Sequence, residues 1–286
     1  MTAPQSEAII DTTPVGQATA AAIEAAEARA WADSYAAAPA DFAEAVGLDS
    51  TEIGGTLVLR WVASGRRYFS RTIGLGVGEP ATAEQVDRIL DRFAEAGITM
   101  FLLQSFPHCR PAEYETWLHD RGLEPFDAQD RVFRDGRPLG TLPQAAREIA
   151  VERVTPAVAE EWSEFLQRVY RLDTGPWLPL LIDRRGWHQY VARENGELVA
   201  ARGMYIGADG MAWLGMDCPV PGVMTEDYAP DAAICAHMIE DGLANGAGAF
   251  LADIEAPSDE MDTPAYRYFS QLGFSRPYVR THYARL

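Results

Sequence analysis

Lysine is absent from this chain of 286 residues: all 24 basic side chains are arginine, set against 42 carboxylates, for a formal net charge of -18. Without lysine, Schiff-base and lysine general-base chemistry are excluded. The acidic balance predicts a surface that repels nucleic acid and anionic membranes and draws in small cations. Cysteine is scarce: Cys109, Cys218 and Cys235 are odd in number, far apart and in no CxxC pair. No disulfide framework is therefore expected, and a reducing cytoplasm fits best. The lack of HExxH or paired CxxC motifs predicts no dedicated metal site. No apolar run approaches the roughly 18 residues of a membrane span. No basic segment precedes an apolar core near the N-terminus, so neither a span nor a signal peptide is expected.

Apolar residues are plentiful, at 48% of the chain, enough for two cores of ordinary size. Residues 1–14 are polar and are expected to form a mobile arm. The Ala- and Glu-rich run 17–38, bounded by Pro14 and Pro39, predicts a helix. Strands are expected at 57–63, 69–75, 99–106 and 131–134, and helices at 82–96 and 111–120, which stop at Gly97 and Gly122. The run DGRPLGTLPQAAR at 135–147, punctuated by Gly and Pro, reads as a linker. A strand at 149–154 then leads through Thr155 and Pro156, a capping pair, into a helix to about 171. Strands at 187–193, 198–205 and 211–216 follow, joined by hairpin signals at Asn195-Gly196 and Asp209-Gly210. A helix at 231–244, a strand at 249–254, a helix around 263–272 and a strand at 278–283 complete the chain. The order strand, strand, helix, strand, helix, strand occurs twice. It predicts an α+β (mixed α/β) chain of two tandem domains, 15–134 and 148–286, each a mixed, partly antiparallel sheet covered by helices.

Near the end, DTPA at 262–265 precedes YRYFSQLGF at 266–274, an aromatic-rich helix that stops at a glycine and passes into a strand. With SFPHCRPAEYETWLHDRGLEP at 105–125 and AWLGM at 212–216, this stretch resembles the GCN5-related N-acetyltransferase (GNAT) superfamily, specifically bacterial tandem members. The resemblance covers about 50–286 and implies transfer of an acyl group from acyl-coenzyme A, such as acetyl-CoA, to an amine. It also implies a pyrophosphate turn between the 211–216 strand and the 231 helix. There the chain reads CPVPGVMTEDYAPDAA, with Gly222 as the one glycine and with Glu226, Asp227 and Asp231 at the helix entrance. Carboxylates at a helix N-terminus oppose an anionic ligand, so the loop reads as degenerate. The first copy offers Gly74, Gly76 and Gly78 ahead of the 82–96 helix, either a phosphate cradle or a plain strand-to-helix turn.

Where the superfamily often has a proton-donating Tyr, this chain has Phe269, flanked by Tyr266 and Tyr268. Tyr266 is a candidate for the missing hydroxyl or else a core residue. Because GNAT-like sheets splay at the end of the 211–216 strand, the resemblance makes Asp217 a candidate general base; its bland reading is a strand-end cap before Pro219. On the neighbouring strand, alternation sets Trp187 on one face and His188 with Tyr190 on the other. His188 is either a catalytic or a structural histidine. Trp187, Tyr190 and Trp213 would shape the substrate pocket, with Glu226, Asp227 and Asp231 as further substrate groups. Three functions stay open at this stage: a GNAT acyltransferase acting on a small cationic or amine-bearing metabolite, a CoA-independent enzyme in the same cleft, and a non-catalytic binding protein.

Overall fold

The computed structural model describes residues 9–142, 147–218, 228–254 and 263–286. Its first elements are α1 (Gln17–Ala36), α2 (Ala40–Val46), β1 (Leu48–Ile53), β2 (Thr56–Trp61), β3 (Thr72–Ile73), α3 (Ala83–Glu95), β4 (Leu103–Ser105), α4 (Tyr114–Asp120) and β5 (Glu124–Asp135). Then come β6 (Ala150–Arg153), α5 (Ala159–Tyr170), β7 (Trp187–Glu194), β8 (Glu197–Ile206), β9 (Met211–Cys218), α6 (Ala229–Ala244), β10 (Ala249–Ile254), α7 (Pro264–Gln271) and β11 (Ser275–Ala284). The mixed α/β class is as expected, and no described helix is long and apolar enough to cross a membrane.

Two compact units form. The N-terminal unit takes Val15–Gln129, Leu172–Leu181 and Val279–Leu286; the C-terminal unit takes Met1–Pro14, Asp130–Arg171 and Ile182–Tyr278. The expected boundaries at 15–134, 135–147 and 148–286 are contiguous in sequence, whereas β5 and β11 each contribute residues to both units.

In the N-terminal unit β1, β2 and β3 form an antiparallel sheet, and β4 pairs with the end of β11 from Ser105↔Thr281 to Leu103↔Tyr283. Thr82 caps α3 by accepting from the Gln85 amide, and Val86, Ile89 and Phe93 on one face of that helix enter the core. The strand expected at 69–75 shrinks to Thr72–Ile73 after a 3-10 turn at Arg67–Phe69, and α2 and β1 were not anticipated. A charged cluster lies at the centre of this unit. Arg280 reaches Glu24 at 3.3 Å, Glu27 at 2.5 Å and Gln129 at 3.0 Å, while Arg71 reaches Glu27 at 2.9 Å.

The C-terminal unit is one mixed sheet in the order β11-β5-β10-β9-β8-β7-β6. Ile234, Cys235, Met238 and Ile239 of α6 and Tyr266, Tyr268 and Phe269 of α7 bury against Met204, Leu214, Phe250 and Ala252 of the strands. The hairpin glycines Gly196 and Gly210 have φ +87° and +77°, the left-handed conformation that these turns require. Two expectations need correction. Thr155 does not cap α5, whose first residue is Ala159; its carbonyl accepts from the Val158 amide in a turn before the helix. Residues 9–14 are not a free arm: Ile10 is fully buried in this core, the Asp11 carbonyl accepts from the Arg276 amide at 2.7 Å, and the Ile9 carbonyl accepts from the Ser270 hydroxyl. The buried isoleucine contributes about 1.5–3 kcal/mol toward holding the segment, beside these two hydrogen bonds.

Candidate active site

β9, α6 and β10 make a strand-helix-strand unit in which the two strands are parallel but pair at three positions only: Met211↔Ala249, Ala212↔Phe250 and Trp213↔Leu251. β9 runs on to Cys218 against β8, and β10 runs on to Ile254 against β5. Parallel strands that part while keeping their outer partners open a cleft at their carboxyl ends, the usual ligand position in sheets of this kind.

One irregularity decides what faces that cleft. Gly203 pairs with Gly215 and Ala201 with Cys218, so β9 takes three steps where β8 takes two, and Met216 sits at φ +52°. This is a β-bulge with its extra residue on β9. Strict alternation would set Asp217 on the side of Trp213 and Gly215. The bulge turns it to the side of Arg202, whose Nη2 lies 3.6 Å from Asp217 Oδ2.

A charged cluster follows. Arg202 Nε donates to Asp231 Oδ1 at 2.6 Å, and the Tyr268 hydroxyl donates to Asp231 Oδ2 at 3.1 Å. Asp217 is the most exposed of the three charged side chains, at 20% against 10% for Asp231 and 2% for Arg202. Burial, with Asp231's charge adding to it, outweighs the pull of Arg202 and raises the Asp217 carboxyl above the usual carboxylate range. Burial likewise pushes the Cys235 thiol up to about 12, so it remains a protonated, unreactive side chain. The Tyr170 hydroxyl donates to the Asp217 carbonyl at 2.7 Å and fixes the strand end.

The other sequence-derived residues fall elsewhere. His188 and Tyr190 share a face, as alternation predicts, and both reach Asp241 of α6: His188 Nδ1 at 3.2 Å, and the Tyr190 hydroxyl by a short hydrogen bond. Burial, then the charge of Arg153, lowers the His188 pKa against the opposing pull of Asp241. Trp187 and Trp213 lie on the opposite face with ring centroids 6.3 Å apart. There the two facing glycines leave room for large neighbours: a Cβ on Gly215 would lie 2.0 Å from the Trp213 ring, and one on Gly203 would lie 2.7 Å from Gln189 Oε1. Gln189 is 2% exposed and its side-chain amide has no hydrogen-bond partner among the described residues. Gly222, Glu226 and Asp227 lie outside the described residues. Among the described residues no group of three or more His, Cys, Asp or Glu side chains is arranged to hold a metal ion.

No family model and no curated protein matches the sequence. Solved structures do. A GCN5-related N-acetyltransferase from Kribbella flavida superposes with a TM-score of 0.61 at 16% identity, covering 92% of this chain and 94% of its own. The fold is the GNAT fold. A GCN5-related N-acetyltransferase from Sphaerobacter thermophilus matches with a TM-score of 0.54 at 15% identity over 97% and 95% of the two chains. A tandem GNAT protein from the clavulanic acid biosynthesis pathway matches with a TM-score of 0.54 at 12% identity over 95% and 96%.

Within the GNAT fold, the position that carries Phe269 is core, and the two flanking tyrosines diverge. Tyr266 donates its hydroxyl to Asp130 Oδ2 at 2.6 Å and receives Arg276 Nη1 at 3.0 Å, apart from the Asp217 cluster. Tyr268 is the tyrosine that joins it. Gly74 and Gly76 both have positive φ, but their turn is tied down: Arg110 donates its amide to the Gly76 carbonyl at 2.9 Å and its side chain to the Gly78 carbonyl at 2.7 Å. Asp231 lies in the first turn of α6, as the sequence places it, with its charge offset by Arg202. The sequence did not single out Arg202, because its partner is distant along the chain and no local motif marks it.

Proposed function

We propose that this chain is a cytoplasmic acyltransferase whose C-terminal unit transfers an acyl group from acyl-coenzyme A to a small amine, with Asp217 as the base. The observation that carries the reading is the parting of β9 and β10 beside a carboxylate that solvent reaches. At the start of α6 the acid among the described residues, Asp231, is paired with Arg202, which offsets its opposition to an anionic donor. The facing edges of β9 and β10 and the start of α6 would hold the donor, which supplies an activated acyl group as a thioester.

The chain's own residues then have defined tasks. Asp217 accepts a proton from the incoming ammonium or amine, and its raised pKa brings it nearer to that of its proton donor. Arg202 keeps the site from accumulating two uncompensated negative charges. Tyr268 stays protonated and donates a hydrogen bond to Asp231, which fixes that carboxylate against Arg202. The net charge of -18 favours a cationic acceptor and disfavours nucleic acid and anionic membranes as partners.

Calorimetric titration with acetyl-CoA, followed by a thiol-release assay over a panel of small amines, tests the proposal. Saturable binding and amine-dependent thiol release are expected. Asp217→Asn should lower kcat by about 10²–10⁴-fold with KM little changed. Absence of acetyl-CoA binding by the intact protein would refute coenzyme A-dependent transfer and favour a CoA-independent reaction in the same cleft.

A further inference from the structure

At the other end of α7 a second arrangement has no place in acyl transfer. Arg134 of β5 is 4% exposed, and no ion pair joins it to a carboxylate among the described residues. Its Nη2 donates to the Arg137 carbonyl, its guanidinium carbon lies 5.6 Å from the Phe250 ring centroid, and its Nε and Nη1 have no hydrogen-bond partner among the described residues. The nearest acid in sequence, Asp135, is engaged by Arg137 through Nε at 2.7 Å. A buried cation without a counterion is costly, and native proteins seldom leave one so.

The guanidinium forms part of the wall of a cavity of about 220 Å³. Arg134 and Arg137 supply its charge, Pro138, Leu139 and Leu272 its apolar surface, and Gly273 leaves it open beside the α7 C-terminus. The space exceeds the ~30 Å³ share of one water several-fold. Two arginines against Asp135 leave one net positive charge, which suits a singly charged oxyanion, and the apolar wall suits a short hydrocarbon tail. We propose that this cavity is a binding site for a small carboxylate with an apolar tail, its carboxylate on Arg134 and Arg137 and its tail against Leu139 and Leu272. A slight turn of the Arg134 side chain offers Nε or Nη1 to the ligand.

The test is a titration of the full chain with sodium pentanoate at constant ionic strength, followed by calorimetry and by the ¹⁵N resonance of Arg134 Nε. 1-Pentanol and inorganic phosphate serve as comparisons. Pentanoate should bind one site and shift that resonance; pentanol should not. Arg134→Met and, separately, Leu139→Trp, which fills the cavity, should each weaken binding by at least about tenfold. Arg134→Met removes an unpaired buried charge and should fold at least as stably as the parent; if it does not fold, Leu139→Trp decides. No saturable response to pentanoate, equal binding by the foldable variants and the parent, or tighter binding of phosphate than of pentanoate would each overturn the assignment.

Discussion

Replacement of Arg202 by methionine probes the electrostatic centre of the C-terminal unit most directly. The side chain is 2% exposed and holds Asp231 at 2.6 Å and Asp217 at 3.6 Å. Methionine preserves much of the volume but leaves two carboxylates facing each other without a cation, and breaking a buried pair in this way costs about 3–5 kcal/mol. At roughly 2–4 °C per kcal/mol for a unit of this size, the melting temperature should fall by about 6–20 °C. The pH dependence is diagnostic. Asp217 already has a folded-state pKa above its unfolded value, so what it contributes is favourable at low pH and is lost as pH rises through the folded value. Without Arg202 the carboxyl rises further, so the deficit of the variant should be largest near about pH 8 and should narrow toward about pH 5. Thermal melts of parent and variant across that range supply the measurement. The double variant Arg202→Met with Asp217→Asn should recover part of the loss, since the two residues are coupled. A deficit under about 1 kcal/mol at the alkaline end, or one that widens on acidification, would refute the reasoning.

Three further outcomes follow from the packing. Gly215→Ala should destabilise by about 1–3 kcal/mol and alter tryptophan fluorescence, because the added Cβ would lie 2.0 Å from the Trp213 ring. Arg280→Met, in the N-terminal unit, should cost about 3–5 kcal/mol, as it takes the buried cation from Glu24 and leaves Glu27 with Arg71 alone of the two; denaturant unfolding with unchanged activity in surviving native protein is the readout. In Asp241, burial raises the pKa, but hydrogen bonds from Tyr190 and the His188 pairing more than offset it and leave the carboxyl below its ordinary value. Its stabilising contribution is present above the unfolded carboxylate pKa and is lost as pH falls through the folded one. Asp241→Ala should therefore remove an acid-sensitive part of the stability, visible as a flatter melting profile on acidification.

The parts of the fold that were legible rest on short-range signals. The helices expected at 82–96 and around 263–272 form as Ala83–Glu95 and Pro264–Gln271, each capped by a threonine, Thr82 or Thr263, that accepts from an amide three residues on. The Asn195-Gly196 and Asp209-Gly210 turns and the alternation that separates Trp187 from His188 and Tyr190 are equally local. Illegible were β1, whose LDSTEI buries few residues, and the docking of Ile10, which depends on a core assembled from distant strands. In the site, Asp217 and Asp231 were identified from their positions, but the surroundings that set their chemistry were not.

Amino-acid order by itself determined the alternation of strands and helices, the glycine turns, the absence of lysine and the acidic surface, because each depends on neighbouring residues or on composition alone. Tertiary structure alone decided that the extra residue in β9 turns Asp217 toward Arg202, that Tyr268 and not Tyr266 reaches the cluster, and that Arg134 is buried beside a cavity. Those facts depend on strand register and on which distant side chains share a low-dielectric interior, and neither is written in any short stretch of chain.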